Sequence, residues 1–566
     1  MNYYSDNKEL QHYLKHPLLK RIVEMKERGY SQAAEYNYAP VDFAEAIEGY
    51  EQTLHLVGEI CAGTVAPNAA RIEHEGPVAV NGRVVYAPAT EENLDIFRKA
   101  GLMGVSLSRE YGGLNFPAAI FTMMQELVCR ADAGFGNLWG LQDCAATISS
   151  FGSEEQRKRY LPMVSAGATM SMDLTEPDAG SDLQSARLKA TFSEEDGRWY
   201  LDGVKRFITN GDSDIHLVLA RSEEGSVDGR GLSLFICEKS CGRVKTRRIE
   251  EKMGIHGSPT CEIVFDHAPA ELCGSRRMGL IKYVMSLMNG ARLGIATQSV
   301  ALAQAAYSEA LAYAHTRKQF GKTIINLPPV YDMVGTMKSR LDAARSLLYE
   351  TARNVDMNYQ FAELAASRPL TPEERTESKL FSKKADALTP LIKGMGSEIA
   401  NMNAYDSVQV HGGSGYMRDY LCERLYRDAR ITSIYEGTTQ LQVVAAIRYA
   451  TSGYYAQLLE EYLSAEVPAS LAPLKERIAA LAAKYGAALE KVQALGSQEA
   501  LDFLARRVYE IAAYSIMAAL LLADAAADEE LFSASLHRFV ALAEAVVAGH
   551  AEYIGNFAME LLTNYK

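Results

Sequence analysis

Residues 174–182 read Leu174-Thr175-Glu176-Pro177-Asp178-Ala179-Gly180-Ser181-Asp182, and the pattern of the chain changes at this stretch. Before it, from about residue 41, apolar residues recur at three- and four-residue spacing, which is typical of amphipathic helices. After it, turn-forming pairs such as Asp202-Gly203 and Asn210-Gly211 separate short apolar runs. Short strands bounded by Gly, Asn and Asp predict a β-sandwich or β-barrel of about 110 residues.

From residue 281 the helical spacing returns and continues along the chain, so we predict an α+β protein that is mostly α. Five segments follow from these changes in pattern: an N-terminal extension (1–40), a helical domain (41–168), a central β domain (169–280), a helical bundle (281–452) and a further C-terminal helical domain (453–566). Helices are predicted over Leu18–Arg28, Leu293–Ala314, Phe381–Met402 and Glu423–Ile431, and strands over Trp199–Leu201, Leu217–Ala220, Leu232–Cys237 and Cys261–Phe265.

The bulk composition restricts the class of protein. The chain has 566 residues, 48% hydrophobic content and a formal charge of −13, and this acidic balance disfavours nucleic-acid binding. The N-terminus lacks a signal-peptide pattern, and the apolar stretch Ile511–Ala526 is expected to be a buried helix rather than a membrane span. Eight scattered cysteines without a CxxC pair predict reduced thiols, a cytoplasmic location and no metal site.

Four motifs could carry chemistry, and each also has an ordinary structural explanation. In Tyr435-Glu436-Gly437-Thr438, an aromatic residue and a glycine flank a carboxylate, which is either a general base or a surface glutamate at a turn. Residues 174–182 form either a ligand-binding loop or a simple turn. The glycine-rich run 409–415 is either a phosphate-binding nest or a linker between helices. The cations of 317–322 either bind an anion or only end a helix.

Taken together, these segments resemble the acyl-CoA dehydrogenase family. The motifs that carry the resemblance are 174–182, Phe207-Ile208-Thr209-Asn210, Arg317-x-x-Phe320-Gly321-Lys322 and 434–442, in the order of the family and over roughly residues 41–452. The resemblance implies a helical domain, a β-barrel and a four-helix bundle. It also implies bound FAD, an acyl-CoA substrate that is oxidised to the trans-2-enoyl-CoA, and electron-transferring flavoprotein as the acceptor.

The resemblance also assigns roles to individual residues, with Glu436 as the catalytic base. The residues implied to contact the cofactor are Asp173, Leu174, Thr175, Ser181, Phe207, Ile208, Thr209, Arg317, Phe320, Gln409, Gly413, Thr438 and Gln440. Those implied to contact the substrate are Ser181, Asn289, Arg292, Tyr435 and Gly437. Asn289 stands where many members have Asp, and Pro328 and Pro329 replace part of a segment that shorter members use near FAD.

The implied assembly and substrate leave alternatives open. Arg317, Phe320, Gln409 and Gly413 would reach the FAD of a neighbouring chain, which implies a homodimer or a tetramer. The N-terminal extension and the tail resemble a long subgroup acting on methylmercaptopropionyl-CoA and fatty acyl-CoAs. Phe135 and Trp139 either shorten the acyl pocket, giving short-chain preference, or only pack the core. His256 and His411 are rival bases.

Two other functions are compatible with the resemblance. The first is an acyl-CoA oxidase, which returns electrons to oxygen, and motifs near the flavin do not separate it from a dehydrogenase. The second is a DNA-associated relative similar to an alkylation-response protein with a basic C-terminal face. Residues 453–566 hold 15 acidic and 8 basic residues, a balance of −7, which argues against DNA binding by this tail.

Overall fold

Nine α-helices precede the central sheet within residues 1–563, the part of the chain that the computed structural model describes. They are α1 (Lys8–His12), α2 (Pro17–Lys26), α3 (Phe43–Ile60), α4 (Ala66–Glu75), α5 (Pro88–Lys99), α6 (Ala118–Ala131), α7 (Ala133–Gly140), α8 (Ala145–Phe151) and α9 (Glu154–Ser165). Helix α9 begins with a capping box, because Ser153 and Gln156 each accept the backbone N–H of the other. Helix α2 confirms the predicted N-terminal helix.

A short β-hairpin interrupts the segment that the sequence pattern predicted to be helical throughout. Strands β1 (Val78–Val80) and β2 (Arg83–Val85) pair antiparallel around Asn81 and Gly82, which both have positive φ. Two-residue hairpin turns need left-handed backbone at both positions and therefore favour Asn-Gly. The prediction of helix alone was wrong here, and the Asn81-Gly82 pair is the signal that marks the hairpin.

Seven strands form a closed barrel after α9. They are β3 (Met170–Asp173), β4 (Lys189–Ser193), β5 (Arg198–Thr209), β6 (Ile215–Arg221), β7 (Leu232–Glu238), β8 (Val244–Ile249) and β9 (Thr260–Cys273). The pairings β6–β4–β5–β9–β7 return to β6, because β7 also pairs with β6, while β3 and β8 extend the sheet. The predicted β domain is thus a barrel. All four predicted strands are present, although β5 and β9 are longer than expected and contain bulges.

Strand β6 is buried on both faces and lies between two hydrophobic clusters. Leu217 and Leu219 pack with side chains of helix α9, including Tyr160, in one cluster. Val218 points the other way, into the interior of the barrel, where it packs with Phe265. A strand that is covered on both faces has a continuous run of apolar residues instead of an alternating pattern, which explains the apolar run 217–220.

The described chain divides into two compact units. The first comprises residues 1–7 and 16–294, and the second comprises residues 8–15 and those from 295 onward. The first unit therefore contains the N-terminal helices from α2 onward and the barrel, and the second contains the long helices that follow. The finer division into five segments stays a prediction.

The second unit is helical apart from one small hairpin. Its elements are most of α10 (Met285–Thr316), the hairpin strands β10 (Lys318–Gln319) and β11 (Lys322–Thr323), and the helices α11 (Pro328–Ser367), α12 (Pro372–His411), α13 (Leu421–Thr432), α14 (Thr439–Thr451), α15 (Tyr454–Ser464), α16 (Ala472–Ala494), α17 (Gln498–Ala527) and α18 (Glu529–Gly555). Three predicted helices coincide with parts of α10, α12 and α13. Pro328 and Pro329 occupy the first turn of α11, where a missing N–H does no harm.

Two helices, α17 and α18, are long and apolar enough to cross a membrane by length and composition alone. In α17 the most apolar 18-residue window is 72% buried inside the protein, against 39% for that of α18. The burial of α17 agrees with the expectation that Ile511–Ala526 is a core helix. The absence of a membrane span stays a prediction.

Residues 8–15 are an integral part of the helical second unit. Tyr13 is buried, and its ring stacks on that of Tyr349 with centroids 4.4 Å apart. The Tyr13 hydroxyl donates a hydrogen bond of 2.9 Å to Asp524 in α17, and Ser346 donates to the same carboxylate oxygen. Burial and the nearby Asp524 carboxylate raise the pKa of Tyr13 well above its usual value, so the phenol stays protonated. These contacts join the start of the chain to its late helices.

We predict that Tyr13→Ala destabilises the second unit. Removing a large buried aromatic side chain usually costs about 3–5 kcal/mol of unfolding free energy, because a cavity remains and the Asp524 carboxylate loses one of its hydrogen-bond donors. Thermal and urea unfolding of the purified variant measure the loss. Tyr331→Ala is the matched control, because Tyr331 is exposed on α11 and should change stability by less than about 0.5 kcal/mol. Equal stability of the two variants would contradict the proposed anchoring.

Candidate active site

The loop at 174–182 lies in the first unit, and hydrogen bonds to one buried glutamate of the loop hold it in place. Glu176 accepts the backbone N–H groups of Arg187 and Leu188, at 2.6 and 2.9 Å, and a hydrogen bond of 2.9 Å from Lys205. Lys205 is fully buried on β5 and also donates to the Leu174 carbonyl at 2.8 Å. Burial disfavours the charged carboxylate, but Lys205 and the two amides outweigh burial and hold the pKa of Glu176 below its usual value.

The residues implied to contact the cofactor around this loop differ in exposure. Leu174 is buried, Thr175 is half-buried and Ser181 is exposed. Asp173 is fully buried at the end of β3, where its Oδ2 lies 2.8 Å from His216 Nδ1. Ser171 Oγ lies 3.0 Å from the same nitrogen, so Ser171, His216 and Asp173 do not form a relay through both ring nitrogens. Asp173 Oδ1 accepts no hydrogen bond from the described residues.

Phe207 is held in an unusual conformation at the end of β5. Its φ is +62°, and a register shift between Lys205 and Ile208 turns its side chain out of the barrel, leaving it 51% exposed. The guanidinium of Arg206 lies 4.7 Å from the ring centre. Ile208 is buried and Thr209 half-buried, so the bulge separates Phe207 from its neighbours. A bulky residue with positive φ is rare and often marks a functional position.

The second unit contains a similar case at Phe320. Phe320 and Gly321 are the two turn residues of the β10–β11 hairpin and have φ of +52° and +76°. Such turns favour Asn-Gly, yet here a phenylalanine takes the first position and is 89% exposed. Arg317, just after the end of α10, is exposed beside this hairpin. An exposed apolar ring on strained backbone raises the free energy of the folded protein unless a ligand or a partner chain covers the ring.

Glu436 lies in a sharp turn between α13 and α14. Its φ is +52°, the φ of Gly437 is +90°, and a Cβ on Gly437 would meet Gln442 Nε2 at 2.8 Å. The ammonium group of Lys393, fully buried on α12, donates to the carbonyls of Thr432, at 3.0 Å, and of Gly437. Gln442 also donates to the Gly437 carbonyl, at 3.0 Å. Lys393 thus fixes both ends of the turn that carries the half-buried Glu436.

The segment of α12 that carries Lys393 is supported by the C-terminal helix α17. Pro390 lies inside α12, and the buried hydroxyl of Tyr509 donates to the carbonyls of Pro390 and Leu391, at 2.9 and 3.0 Å. A Cβ on Gly394 would lie 2.1 Å from that hydroxyl, so glycine is needed for the contact. The additional C-terminal helices therefore contribute to the rigidity of the Glu436 turn.

The other residues around this turn lie near the N-terminus of α14. The Thr438 hydroxyl caps α14 by accepting the Leu441 N–H at 3.3 Å, and Gln440 is exposed in the first helical turn. A helix N-terminus carries partial positive charge and favours anionic ligands. The Tyr435 hydroxyl donates to Gln298 of α10, which fixes this ring.

The glycine-rich run follows the end of α12 as a 3₁₀ turn, Gly412–Tyr416, and does not begin a helix. Gln409 and Gly413 are exposed. His411 is buried, stacks on Tyr313 and shares a hydrogen bond of 2.7 Å with the Ser407 carbonyl. His256 in the first unit likewise pairs with Glu73 at 3.0 Å. Because both histidines have structural partners, the geometry does not favour either of them as a catalytic base.

Two residues implied to contact the substrate are neighbours on α10. Arg292 Nη1 donates to Asn289 Oδ1 at 3.4 Å, and both side chains are half-buried. Trp139, in contrast, is fully buried, donates to the Leu102 carbonyl at 2.9 Å and stacks on Phe121. Phe135 is also buried against Phe97. Both Trp139 and Phe135 therefore pack the helical core and carry no argument about acyl-chain length.

Family profiles cover nearly the whole chain. They match the N-terminal domain (48–168), the middle domain (171–268) and the C-terminal domain (281–448) of acyl-CoA dehydrogenase, and a further acyl-CoA dehydrogenase C-terminal profile matches 451–562. A 3-methylmercaptopropionyl-CoA dehydrogenase of Ruegeria pomeroyi is 33% identical over 431 residues, covering 72% of this chain and 70% of the relative. The chain belongs to the acyl-CoA dehydrogenase family. Members of this family are FAD-dependent oxidoreductases.

Two further acyl-CoA dehydrogenases are similar to this family member. A broad-specificity linear acyl-CoA dehydrogenase of Mycobacterium tuberculosis is 32% identical, with 68% of this chain and 67% of the relative covered. The crystal structure of an acyl-CoA dehydrogenase complexed with FAD from Bacillus anthracis is 25% identical, with a TM-score of 0.75 over 92% of this chain and 90% of that chain. The expected family fold, with an additional C-terminal helical region, is confirmed.

The structure adds features that the sequence motifs of this family member did not reveal. Lys205 and Lys393 are buried lysines that hold the carbonyl groups of Leu174 and Gly437. Phe207, Phe320 and Glu436 share left-handed backbone. In the sequence, Lys393 stands out as a charged residue within the otherwise apolar stretch 391–395. Its hydrogen-bond partners could not be predicted, because they are distant in sequence.

We predict that Glu176→Gln makes the barrel less stable and less sensitive to acid. The variant leaves the buried Lys205 without its counter-charge, a change that costs about 3–5 kcal/mol at pH 7. Because folding lowers the pKa of Glu176, its contribution is present above its unfolded pKa and is lost as pH falls through the folded pKa. The stability difference between wild type and variant should therefore shrink as pH falls below about 4.

Urea unfolding across this pH range measures that difference. Glu154→Gln is the matched control, because Glu154 is exposed and pairs with Lys158 on the surface. The control should leave the stability nearly unchanged, since solvent screens an exposed ion pair. A Glu176→Gln difference that stays constant down to pH 3 would contradict the assigned ion pair.

We predict that Lys393→Met lowers kcat far more than it changes KM. Methionine keeps the apolar stem but cannot donate to the two carbonyls, so the Glu436 turn relaxes, and small misplacements of catalytic groups cost up to about 10²-fold in rate. Steady-state kinetics and flavin content of the purified variant measure the effect. Lys379→Met, on the exposed face of the same helix, should leave kcat unchanged. Wild-type kcat in Lys393→Met would disprove the positioning role.

Proposed function

We propose that the protein is an FAD-dependent acyl-CoA dehydrogenase in which Glu436 removes the α-proton of an acyl-CoA thioester. The product is the trans-2-enoyl-CoA, and the electrons pass to electron-transferring flavoprotein. The proposal includes a cytoplasmic location and rests on family membership together with the geometry of the two loops described above.

The observation that carries this proposal is the constrained position of Glu436. A surface glutamate at an ordinary turn needs neither positive φ nor a buried lysine beneath it. Here Lys393 and Gln442 hold the carbonyl of Gly437, the residue after the base. Strained backbone that the surrounding structure maintains is characteristic of catalytic positions.

The residues implied to contact the cofactor fit the chemistry of FAD. Phe207 and Phe320 offer exposed aromatic faces, which suit a planar heterocycle. The α14 N-terminus, with Thr438 and Gln440, and the exposed Arg317 suit a pyrophosphate. Bound FAD would supply the hydride acceptor for the β-carbon of the substrate.

The chain itself would carry out the proton transfer. The α-C–H of a thioester is a weak acid, so donors must stabilise the negative charge that develops on the carbonyl oxygen. The family resemblance assigns one of these donors to the backbone N–H of Glu436. Its carboxylate would then take the proton, and exclusion of water by the acyl chain would raise its pKa and make it a stronger base.

We further propose that the active form is a homodimer. The resemblance assigns Arg317, Phe320, Gln409 and Gly413 to the cofactor of a neighbouring chain. All four are exposed in the single chain, as residues reserved for a partner chain would be.

We predict that Glu436→Gln keeps FAD but loses activity. Glutamine preserves size and hydrogen bonding but cannot accept the proton, and loss of a general base costs about 10²–10⁴-fold. Under anaerobic conditions, acyl-CoAs from short to long chain are mixed with the enzyme, and bleaching of the flavin absorbance is followed. Wild type should bleach with a subset of this panel, and the variant should not.

Glu460→Gln is the control, because Glu460 is exposed on α15. Bleaching of Glu436→Gln at the wild-type rate would exclude Glu436 as the base. Wild type that purifies with flavin but bleaches with no acyl-CoA would contradict the substrate class. Comparing oxygen consumption with reduction of electron-transferring flavoprotein then separates a dehydrogenase from an oxidase.

A further inference from the structure

The turn that carries Glu436 is closed by Thr439, the first residue of α14. The Thr439 backbone N–H donates to the Ser433 carbonyl at 3.0 Å, so the two ends of the turn meet. Thr439 is buried, and its hydroxyl donates a hydrogen bond of 2.8 Å to the Glu398 carboxylate of α12. The Thr439 backbone therefore closes the turn, and its side chain joins the closed turn to α12.

Glu398 lies on the same helix as Lys393, five residues further along the chain. The two side chains hold the turn at different points. The Lys393 ammonium binds backbone carbonyls before and after Glu436, and the Glu398 carboxylate accepts the Thr439 hydroxyl. A hydrogen bond to a carboxylate is stronger than one between neutral groups. Helix α12 therefore fixes the turn through one cation and one anion.

Arg506 of α17 pairs with the Glu398 carboxylate. Arg506 Nη1 lies 3.6 Å from Glu398 Oε1, the same oxygen that accepts the Thr439 hydroxyl. The two charged side chains are 36% and 31% exposed, so their pairing adds little to the stability of the fold. Its effect is on orientation, because the guanidinium keeps this carboxylate oxygen at the position where it meets Thr439.

Arg506 is itself held by a second carboxylate. Its Nε pairs with Glu510, one turn further along α17, and Glu510 Oε2 lies 2.6 Å from His550 Nε2 on α18. Burial would raise the pKa of Glu510, but the hydrogen bond with His550 and the charge of Arg506 hold it below its usual value, so Glu510 is ionised at neutral pH. Two carboxylates, Glu398 and Glu510, therefore share one guanidinium and restrict its orientation.

We propose that Glu398 is a positioning residue for Glu436, acting through the Thr439 hydroxyl, and that Arg506 of the additional C-terminal helices orients Glu398. The proposal rests on the proposed role of Glu436 as the base. While Thr439 is anchored, the turn holds the Glu436 carboxylate in one place relative to the α-proton of the substrate. Without the anchor, the carboxylate samples positions from which proton transfer is slow. Substrate binding does not need this alignment, so kcat should fall while KM stays nearly constant.

Two substitutions of Thr439 separate positioning from packing. Thr439→Val keeps the shape but removes the hydroxyl, and Thr439→Ser keeps the hydroxyl but removes a buried methyl group. In the full-length, flavin-loaded enzyme, Thr439→Val should lower kcat about 10-fold, the scale of a lost hydrogen bond to a charged group, with little change in KM. Thr439→Ser should retain most of the wild-type kcat. Wild-type kcat in Thr439→Val, or a larger loss in Thr439→Ser, would overturn the proposal.

A double-mutant cycle shows whether Glu398 acts through Thr439. Glu398→Met should lower kcat as Thr439→Val does. The double variant should be no slower than either single variant, because both substitutions remove the same hydrogen bond. Losses of kcat that multiply would mean that the two residues act independently, which would contradict the proposal.

Arg506 has a matched control in its neighbour Arg507. Arg507 lies on the same helix but contacts α18, where its guanidinium is 3.5 Å from the ring centre of Tyr553. Arg506→Met should lower kcat about 3-fold, the usual scale of a partly exposed ion pair, and Arg507→Met should leave it unchanged. Equal kcat in these two variants would exclude the role of Arg506.

Amide hydrogen exchange of the turn gives a measurement that does not depend on turnover. Peptides covering 431–441 should exchange faster in Thr439→Val and Glu398→Met than in wild type or Arg507→Met, because the closed turn opens more often. Unchanged exchange would overturn the proposal whether or not the protein oxidises acyl-CoA. Failure of the proposed function has a different result: wild type does not bleach with any acyl-CoA, or Glu436→Gln bleaches like wild type.

Discussion

The candidate active site depends on buried lysines that bind backbone carbonyl groups. A cation is stable inside a protein only where acceptors replace its water. Lys393 finds them in the carbonyls of Thr432 and Gly437, and Lys205 in the Leu174 carbonyl and the Glu176 carboxylate. In both places the ammonium group crosses from a regular element to an irregular loop. The loop cannot move without leaving a charge unsolvated, which makes it rigid at the positions that the proposed function assigns to the cofactor and the base.

This rigidity explains how unfavourable backbone persists. Phe207, Phe320 and Glu436 all have φ between +50° and +65°, where side chains with a Cβ are strained. At Phe207 a β-bulge next to Lys205 supplies the constraint, and at Glu436 it is the contact of Lys393 with the following residue. Phe320 relies on a two-residue hairpin alone. Of the eleven non-glycine residues with positive φ in the described chain, these three are assigned to the cofactor or the reaction.

Many of the helices and strands could be predicted from the sequence, because each type has a characteristic spacing of apolar residues. Residues 217–220 are apolar throughout because β6 is covered on both faces, and the pattern identified a strand there. The β1–β2 hairpin was missed although Asn81-Gly82 marks it. Lys205 and Lys393 were also missed, since their partners lie 31 and 44 residues away along the chain. The motif predicts Glu436 as the base, whereas its strained conformation depends on those distant contacts.

The placement of residues 8–15 in the second unit has a consequence for synthesis. Tyr13 is synthesised well before its partner Asp524, which lies 511 positions later in the chain. Tyr13 and the other residues of 8–15 must therefore wait until α17 has been made. Contacts of such sequence separation form slowly, because the whole intervening chain must be ordered or looped. Until then the apolar side chains of residues 8–15, such as Leu10 and Tyr13, are exposed to chaperones, and docking against α17 buries them.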